Sequence, residues 1–363
     1  MKALTVGSAM VDTIAIIDSD RIERMTMLNA DNSFLLLEEG RKTEAEEVST
    51  HPGGGAVNAA VAMARLGMDV AVLAKLGTDA RADAILARLA HEGVSSRWTL
   101  RDARAPTGAS VLISSHDRNA AIFTFRGANT LLEAEDLRDD AFAVDVVYVA
   151  NLSNKSADCF PAIVGRAKAR GAVVAANPGP RQLSARGQAF LENLAMIDIL
   201  MLNRTEADLL VPSLVARRGE GGPALPLAPG EEPPALAARG LVGGGFEIGL
   251  AAYLRALGEL GPNYVVITDG ARGAFVGSAG EILFAPALLA KVVGTAGAGD
   301  SFGATFTAYL TLGHPIAEAL RAASINSASV VGHIDTQTGL LGRQELDRRV
   351  AASAQQDIRR WAL

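Results

Sequence analysis

The sequence predicts an α/β fold: a doubly wound, mostly parallel sheet flanked by helices, with a small β-sheet lid. Short apolar runs rich in β-branched residues alternate with longer alanine- and leucine-rich stretches of helical period, the pattern of buried parallel strands covered by helices. Two stretches, 13–52 and 107–126, break that rhythm with shorter, more alternating runs. The chain's 363 residues, 49% hydrophobic, suffice for one large core and a smaller appendage. This places 1–12, 53–106 and 127–363 in one α/β domain and 13–52 with 107–126 in the lid.

Taken in order, the expected strands are Ala3–Val6, Val70–Leu73, Val144–Val149, Ala172–Ala175, Ile197–Leu202 and Tyr264–Thr268. The expected helices are Ala56–Leu66, Ala80–His91, Ser156–Arg170, Thr205–Val211, Gly245–Leu257 and Asp300–Leu312. Ala109–Ser114 and Ala120–Phe125 flank the polar turn Ser115-His116-Asp117-Arg118-Asn119 and read as a hairpin. Both irregular stretches leave and re-enter the sheet, so they lie over the strand ends where open α/β sheets bind ligands. An apolar-faced sheet there needs cover from substrate, from the main domain or from a second copy, and a homodimer through the lid is one such arrangement. Residues 217–245, rich in glycine and proline, read as a solvated insertion loop that builds no packed element.

The formal net charge is −6 and the basic residues are scattered, which disfavours a nucleic-acid partner. Cys159 is the only cysteine, so no internal disulfide and no paired-cysteine metal site forms. No segment reaches the roughly 18 uncharged apolar residues of a membrane helix, and the N-terminus does not resemble a signal peptide. A cytoplasmic protein is expected. Histidines 51, 91, 116, 314 and 333 show no metal-ligand spacing, so a zinc site is not expected.

Four segments carry chemistry. In Gly294-Thr295-Ala296-Gly297-Ala298-Gly299-Asp300, glycines let backbone N–H groups converge ahead of a helix whose positive end favours an anion. Asp300, at the helix start, is placed to take a proton from an attacking hydroxyl while a phosphoryl group occupies the loop; a simple N-cap is the competing role. Pro52-Gly53-Gly54-Gly55, with Asn58 one turn into the next helix, permits close approach of a polyhydroxyl ligand. Asn203 and Glu206, at a strand's carboxyl end, suit either hydrated Mg²⁺ or a helix cap. Thr268, Gly270 and Gly273 end a further strand, where the glycines admit a nucleotide phosphate. No Gly-Lys pair and no GxGxxG run occurs, which removes the P-loop and dinucleotide fingerprints.

In this order, the four segments resemble the ribokinase-like, or phosphofructokinase B, family of carbohydrate kinases, and the likeness spans nearly the whole chain from Val6-Gly7-Ser8 onward. The resemblance implies ATP and Mg²⁺ as cofactors and a small sugar or sugar derivative as substrate, phosphorylated on a hydroxymethyl group. It implies Asp300 as base and Gly297, Ala298 and Gly299 as anion hole. Asp12, Gly53, Gly54 and Asn58 correspond to sugar contacts; Asn203 and Glu206 to the Mg²⁺ and phosphate pair, with Mg²⁺ held through water. Asn177, Thr268, Gly270, Gly273, Asn326 and Ser329 correspond to the ATP site. Two departures stand out. Gly294 replaces the family's usual aspartate, which puts activation by a monovalent cation in doubt, and Met10 replaces the asparagine of ribokinases proper. A nucleoside kinase remains an alternative, with Phe123, Phe125 and Met10 able to flank a base; a catalytically silent ligand-binding protein is another.

Overall fold

The computed structural model describes residues 1–18, 23–26, 33–36, 40, 42–115, 120–222, 225–353 and 358–363. Lys2–Val6, Asp69–Leu73, Val146–Val149, Val173–Ala176, Ile199–Asn203 and Tyr264–Thr268 pair in parallel, as the apolar runs predict. Val146–Val149 is buried at every residue, because helices cover both faces of the sheet. Strand alternation divides the interior in two. Leu4, Val6, Val147, Val149, Leu200 and Leu202 enter one core, while Ala3, Val146, Tyr148, Ile199 and Met201 enter the other.

Three antiparallel strands not anticipated from sequence, Ala274–Ser278, Glu281–Ala285 and Arg359–Ala362, complete a sheet of 9. The helices Pro180–Glu192 and Arg343–Ala352 were likewise not anticipated. The former has a non-helical residue at Arg186 and the latter is strongly polar, so neither shows a clean apolar stripe. The expected helix from Ser156 opens as a 3-10 segment, Asn154–Cys159, before Phe160–Ala169.

The small sheet exists and has 4 strands, in the order Ala120–Phe125, Gly108–Ser115, Met10–Ile17, Glu47–Gly53. Its outer pairs are antiparallel; Met10–Ile17 and Gly108–Ser115 run parallel. Asp12 faces His51 on one side and Ser110 on the other, and Thr124 extends that row. The next row, Thr50, Thr13, Val111 and Phe123, points to the opposite face. Of the expected hairpin turn, residues 116–119 lie outside the described residues; of the lead-in, Glu23–Thr26 and Ser33–Leu36 form a separate antiparallel ladder.

The expectation that 217–245 builds nothing is corrected. The segment contains a short helix, Ala235–Arg239, and the strand Leu241–Gly243, which pairs with Phe246–Ile248. Leu225, Leu236 and Leu241 are buried in the main core. Glycine and proline dominate the composition, but a few leucines suffice to anchor the turns between them. Gly243 packs so closely that a Cβ would lie 2.0 Å from the Asp208 carbonyl. The helix expected over Gly245–Leu257 accordingly begins later, at Leu250.

Candidate active site

Two helices meet over the carboxyl ends of the parallel strands. Gly55–Arg65 begins where the lid returns to the domain, and its first residues are anchored by Ser8, whose Oγ accepts from Gly55 N–H at 3.0 Å and whose carbonyl accepts from Ala56 N–H at 3.0 Å. Gly54 has φ 95°, and a Cβ there would meet the Ser8 carbonyl at 2.6 Å, so only glycine fits. The second helix, Ala298–Thr311, crosses the sheet closely at Gly303, where a Cβ would lie 2.5 Å from the Tyr148 hydroxyl.

Asp300 is the third residue of that second helix. Gly297, not Asp300, is the N-cap, at φ 77°, which removes the simple capping role. The Asp300 carboxylate instead accepts from Asn58 Nδ2 at 2.8 Å, joining the two helix starts. Burial raises its pKa above the ordinary 3.8; the Asn58 hydrogen bond opposes this and the Asp12 charge adds to it. Of the first N–H groups of the helix, that of Ala298 is bonded to the Thr295 carbonyl at 3.4 Å, and those of Gly299 and Asp300 have no partner within the helix, which leaves donors for an anion beside the carboxylate.

The amide of Asn58 is itself fixed. Its Oδ1 accepts from Thr336 Oγ1 at 2.8 Å and from Gln337 Nε2 at 3.0 Å, so its Nδ2 must face Asp300. Gln337 also donates to the Pro52 carbonyl and accepts from Arg88 Nε at 2.8 Å. Thr336 touches Gly297 as well: a Cβ at Gly297 would lie 2.6 Å from Thr336 Cβ. The sequence reading missed Thr336 and Gln337, which sit in the polar run Asp335-Thr336-Gln337-Thr338 and lie far from the glycine motifs in the chain.

Asp12 is the third residue of its strand, not a turn cap. Ser110 Oγ donates to Asp12 Oδ1, and a Cβ on Gly53 would lie 2.5 Å from Asp12 Oδ2. Burial raises its pKa, with the Ser110 bond and the neighbouring His51 opposing. Asp12, Gly53, Thr336, Asn58 and Asp300 therefore converge on one mouth. Asn151, also missed, follows the strand Val146–Val149, a location where α/β sheets place ligand contacts. It accepts from Ser8 Oγ at 2.9 Å and lies against Gly179.

Asn203 and Glu206 form a reciprocal capping box at 2.9 Å in both directions. Glu206 is nevertheless buried, and its pKa is pushed up to about 7 by burial and then by the Asp300 charge. A carboxylate held so close to its ionisation point suits a nearby cation that would draw off its proton. Thr268 pairs with Asn203 across the sheet. Gly273, φ 105°, is required by the turn itself, since a Cβ would meet the Ala285 carbonyl at 2.3 Å, whereas Gly270 borders open space. Asn177 follows Val173–Ala176, its N–H bonded to the Val149 carbonyl. Asn326 is not brought to the mouth: it is fully buried, donating to Thr305 Oγ1 and accepting from Leu341 N–H. Ser329 is half-buried, and its carbonyl is bonded by His333.

A sharp test separates the two loop glycines. Gly297→Val forces a β-branched residue into a left-handed conformation against Thr336, so melting temperature and turnover fall together. Gly299 is helical with no neighbouring atom within 4 Å of its Cβ position, so a small side chain there meets no obstruction. Gly299→Ala keeps its melting temperature and loses turnover only if an anion occupies that space, which melting curves and steady-state rates on one preparation distinguish.

Comparison with known proteins identifies the family. The pfkB family carbohydrate kinase model matches residues 11–220 and 245–341. The deoxyribokinase of Salmonella typhi is 26% identical over 329 residues, 90% of this chain and 94% of that protein. The ribokinase of Staphylococcus aureus is 32% identical over 178 residues, 47% of this chain and 55% of that protein. The putative ribokinase II of E. coli, solved with ATP and Mg²⁺, superimposes with a TM-score of 0.73 at 20% identity, covering 97% of this chain and 99% of that one. With two thirds of its length and more matched by the family model, and with the fold in agreement, the chain is a member of the pfkB family of carbohydrate kinases.

Proposed function

We propose that this kinase transfers the terminal phosphoryl group of ATP to the hydroxymethyl group of a small sugar. The observation that carries the reading is the Asp300 carboxylate, hydrogen-bonded to Asn58 beside the glycine-capped helix start. The acceptor oxygen bonds to the terminal phosphorus as the P–O bond to ADP breaks, and the hydroxyl proton passes to Asp300. N–H groups of Gly297, Ala298 and Gly299 face the phosphoryl oxygens, and Asp12 with Asn58 orients the sugar. Asn203 and Glu206 would hold hydrated Mg²⁺, which would neutralise phosphate charge; Thr268, Gly270 and Asn177 would border the nucleotide.

A sugar is favoured over a nucleoside because Phe123 and Phe125 lie on the lid face opposite Asp12, 59% and 52% exposed, and do not flank the mouth. Met10 alone shares the Asp12 face. Coupled ADP release with a panel of sugars and nucleosides tests this: turnover is expected with a sugar, and a nucleoside preferred tenfold or more overturns the choice. The same assay, with K⁺ exchanged for tetramethylammonium, is expected to show little change, since Gly294 brings no carboxylate.

A further inference from the structure

Resting on the sugar-kinase reading, we propose that Arg126 and Arg181 form an anion clasp at the acceptor end of the mouth, so that the substrate is a sugar carrying a carboxylate or phosphate remote from the phosphorylated hydroxymethyl.

Arg126 follows the lid strand Ala120–Phe125, two residues beyond Thr124 in the Asp12–Ser110–Thr124 row. There the chain leaves the strand with a helical-region backbone (φ −80°, ψ −26°), at the end of the small sheet where Met10 and Gly108 pair. The Arg126 backbone is pinned there: its carbonyl accepts from Asn129 Nδ2, and Asn129 in turn holds both polar groups of Ala9. A Cβ on Gly108, the register partner of Met10, would lie 2.9 Å from that carbonyl.

Arg181 opens the helix Pro180–Glu192 on the main domain. The preceding Gly179 lies against Asn151, which also borders Gly55 and, through it, Asp300. The two arginines, one on the lid and one on the main domain, are thus close enough for their charges to interact.

Neither is neutralised. Among the described residues, neither the Arg126 nor the Arg181 guanidinium makes a hydrogen bond or an ion pair, although most other described arginines have acid partners. An exposed arginine without a partner is ordinary, and Arg181 alone would mean little. Arg126 differs, because its Nε is buried with no acceptor. A buried unsatisfied donor needs a cause, and a missing ligand is one. Burial lowers the Arg126 pKa and the nearby Arg181 charge lowers it further, the reverse of what a protein-supplied acid would do.

A planar, bidentate donor beside a second cation recognises carboxylate or phosphate far better than a neutral hydroxyl. The transferring phosphoryl is not that anion, for Arg126 stands on the lid beside Gly108, the register partner of Met10, and not at the glycine-capped helix start.

The test measures ADP release with D-ribose and 2-deoxy-D-ribose as neutral acceptors, D-gluconate and D-ribonate as acids, and D-fructose 6-phosphate and D-ribose 1-phosphate as phosphates. At least one anionic acceptor is expected to exceed the neutral ones in kcat/KM by about tenfold or more, and Arg126→Met and Arg181→Met each to lower that value by about 100-fold. Activity on neutral sugars and KM for ATP stay within threefold. Acids and phosphates are separated by which pair responds. A neutral pentose as best acceptor, with both variants unaffected, overturns the clasp and leaves the kinase reading intact. If no acceptor is phosphorylated, the kinase reading fails, and calorimetric titration of the same anions decides the clasp: binding that Arg126→Met abolishes upholds it, and no binding to the wild-type chain ends it.

Discussion

Asp300→Asn is expected to lower turnover by about 10²–10⁴-fold while raising the melting temperature. The asparagine keeps the helix position and can still accept from Asn58 Nδ2 through its amide oxygen, so the junction between the two helix starts survives. It cannot take a proton. The stability change follows from the direction of the Asp300 pKa, raised chiefly by burial. A carboxyl group that prefers its neutral form in the fold contributes stability at low pH and loses it as pH rises through the raised pKa. At neutral pH the ionised Asp300 is therefore a cost that asparagine removes. Wild-type turnover should fall on the acid side at a pH above 3.8, the ordinary aspartate value, and that limb should vanish from the residual activity of the variant. A stable, folded variant with near-normal turnover would show that another group takes the proton. A variant with lower stability and unchanged pH profile would show that Asp300 only ties the helices together.

Asp12→Ala is expected to reduce kcat/KM for the best acceptor by about 10⁴, with KM for ATP nearly unchanged. Asp12 lies mid-strand in the lid, and Ser110 occupies Oδ1 while Oδ2 faces the gap beside Gly53. A site built to hydrogen-bond a hydroxyl discriminates strongly, because losing one partner leaves the other buried and unpaired. The competing role is local: Asp12 satisfies Ser110 and helps fix the strand register with His51 opposite. In that case the alanine variant would lose melting temperature yet hold kcat/KM within threefold of wild type, and the lid-mouth placement of the sugar would be abandoned. Because burial raises the Asp12 pKa, its removal should cost little stability at neutral pH, which makes the two outcomes easy to tell apart.

By itself, the sequence determined the six parallel strands, the two glycine-led helices and the lid hairpin. Period, β-branching and glycine placement act over a few residues, so Val146–Val149 or Gly55–Arg65 can be read locally. It also determined Asp300, Asn58 and Asp12 as candidates, since each stands in or next to a legible motif. Tertiary structure alone decided the rest. That Gly297 rather than Asp300 caps the helix, leaving the carboxylate to accept from Asn58, 242 positions away in the chain, is a tertiary outcome. Gln337 and Thr336 gained meaning only because the chain returns their loop beneath Asn58, and the burial of Asn326, its amide bonded to Thr305 and Leu341, was decided in the same way. Phe123 and Phe125 looked like ligand contacts until sheet register turned them to the far face. The 217–245 segment looked unable to pack until its leucines met a core built by other parts of the chain. In each case the deciding energy belongs to a contact between residues far apart in sequence, and no local pattern encodes which partner will be present.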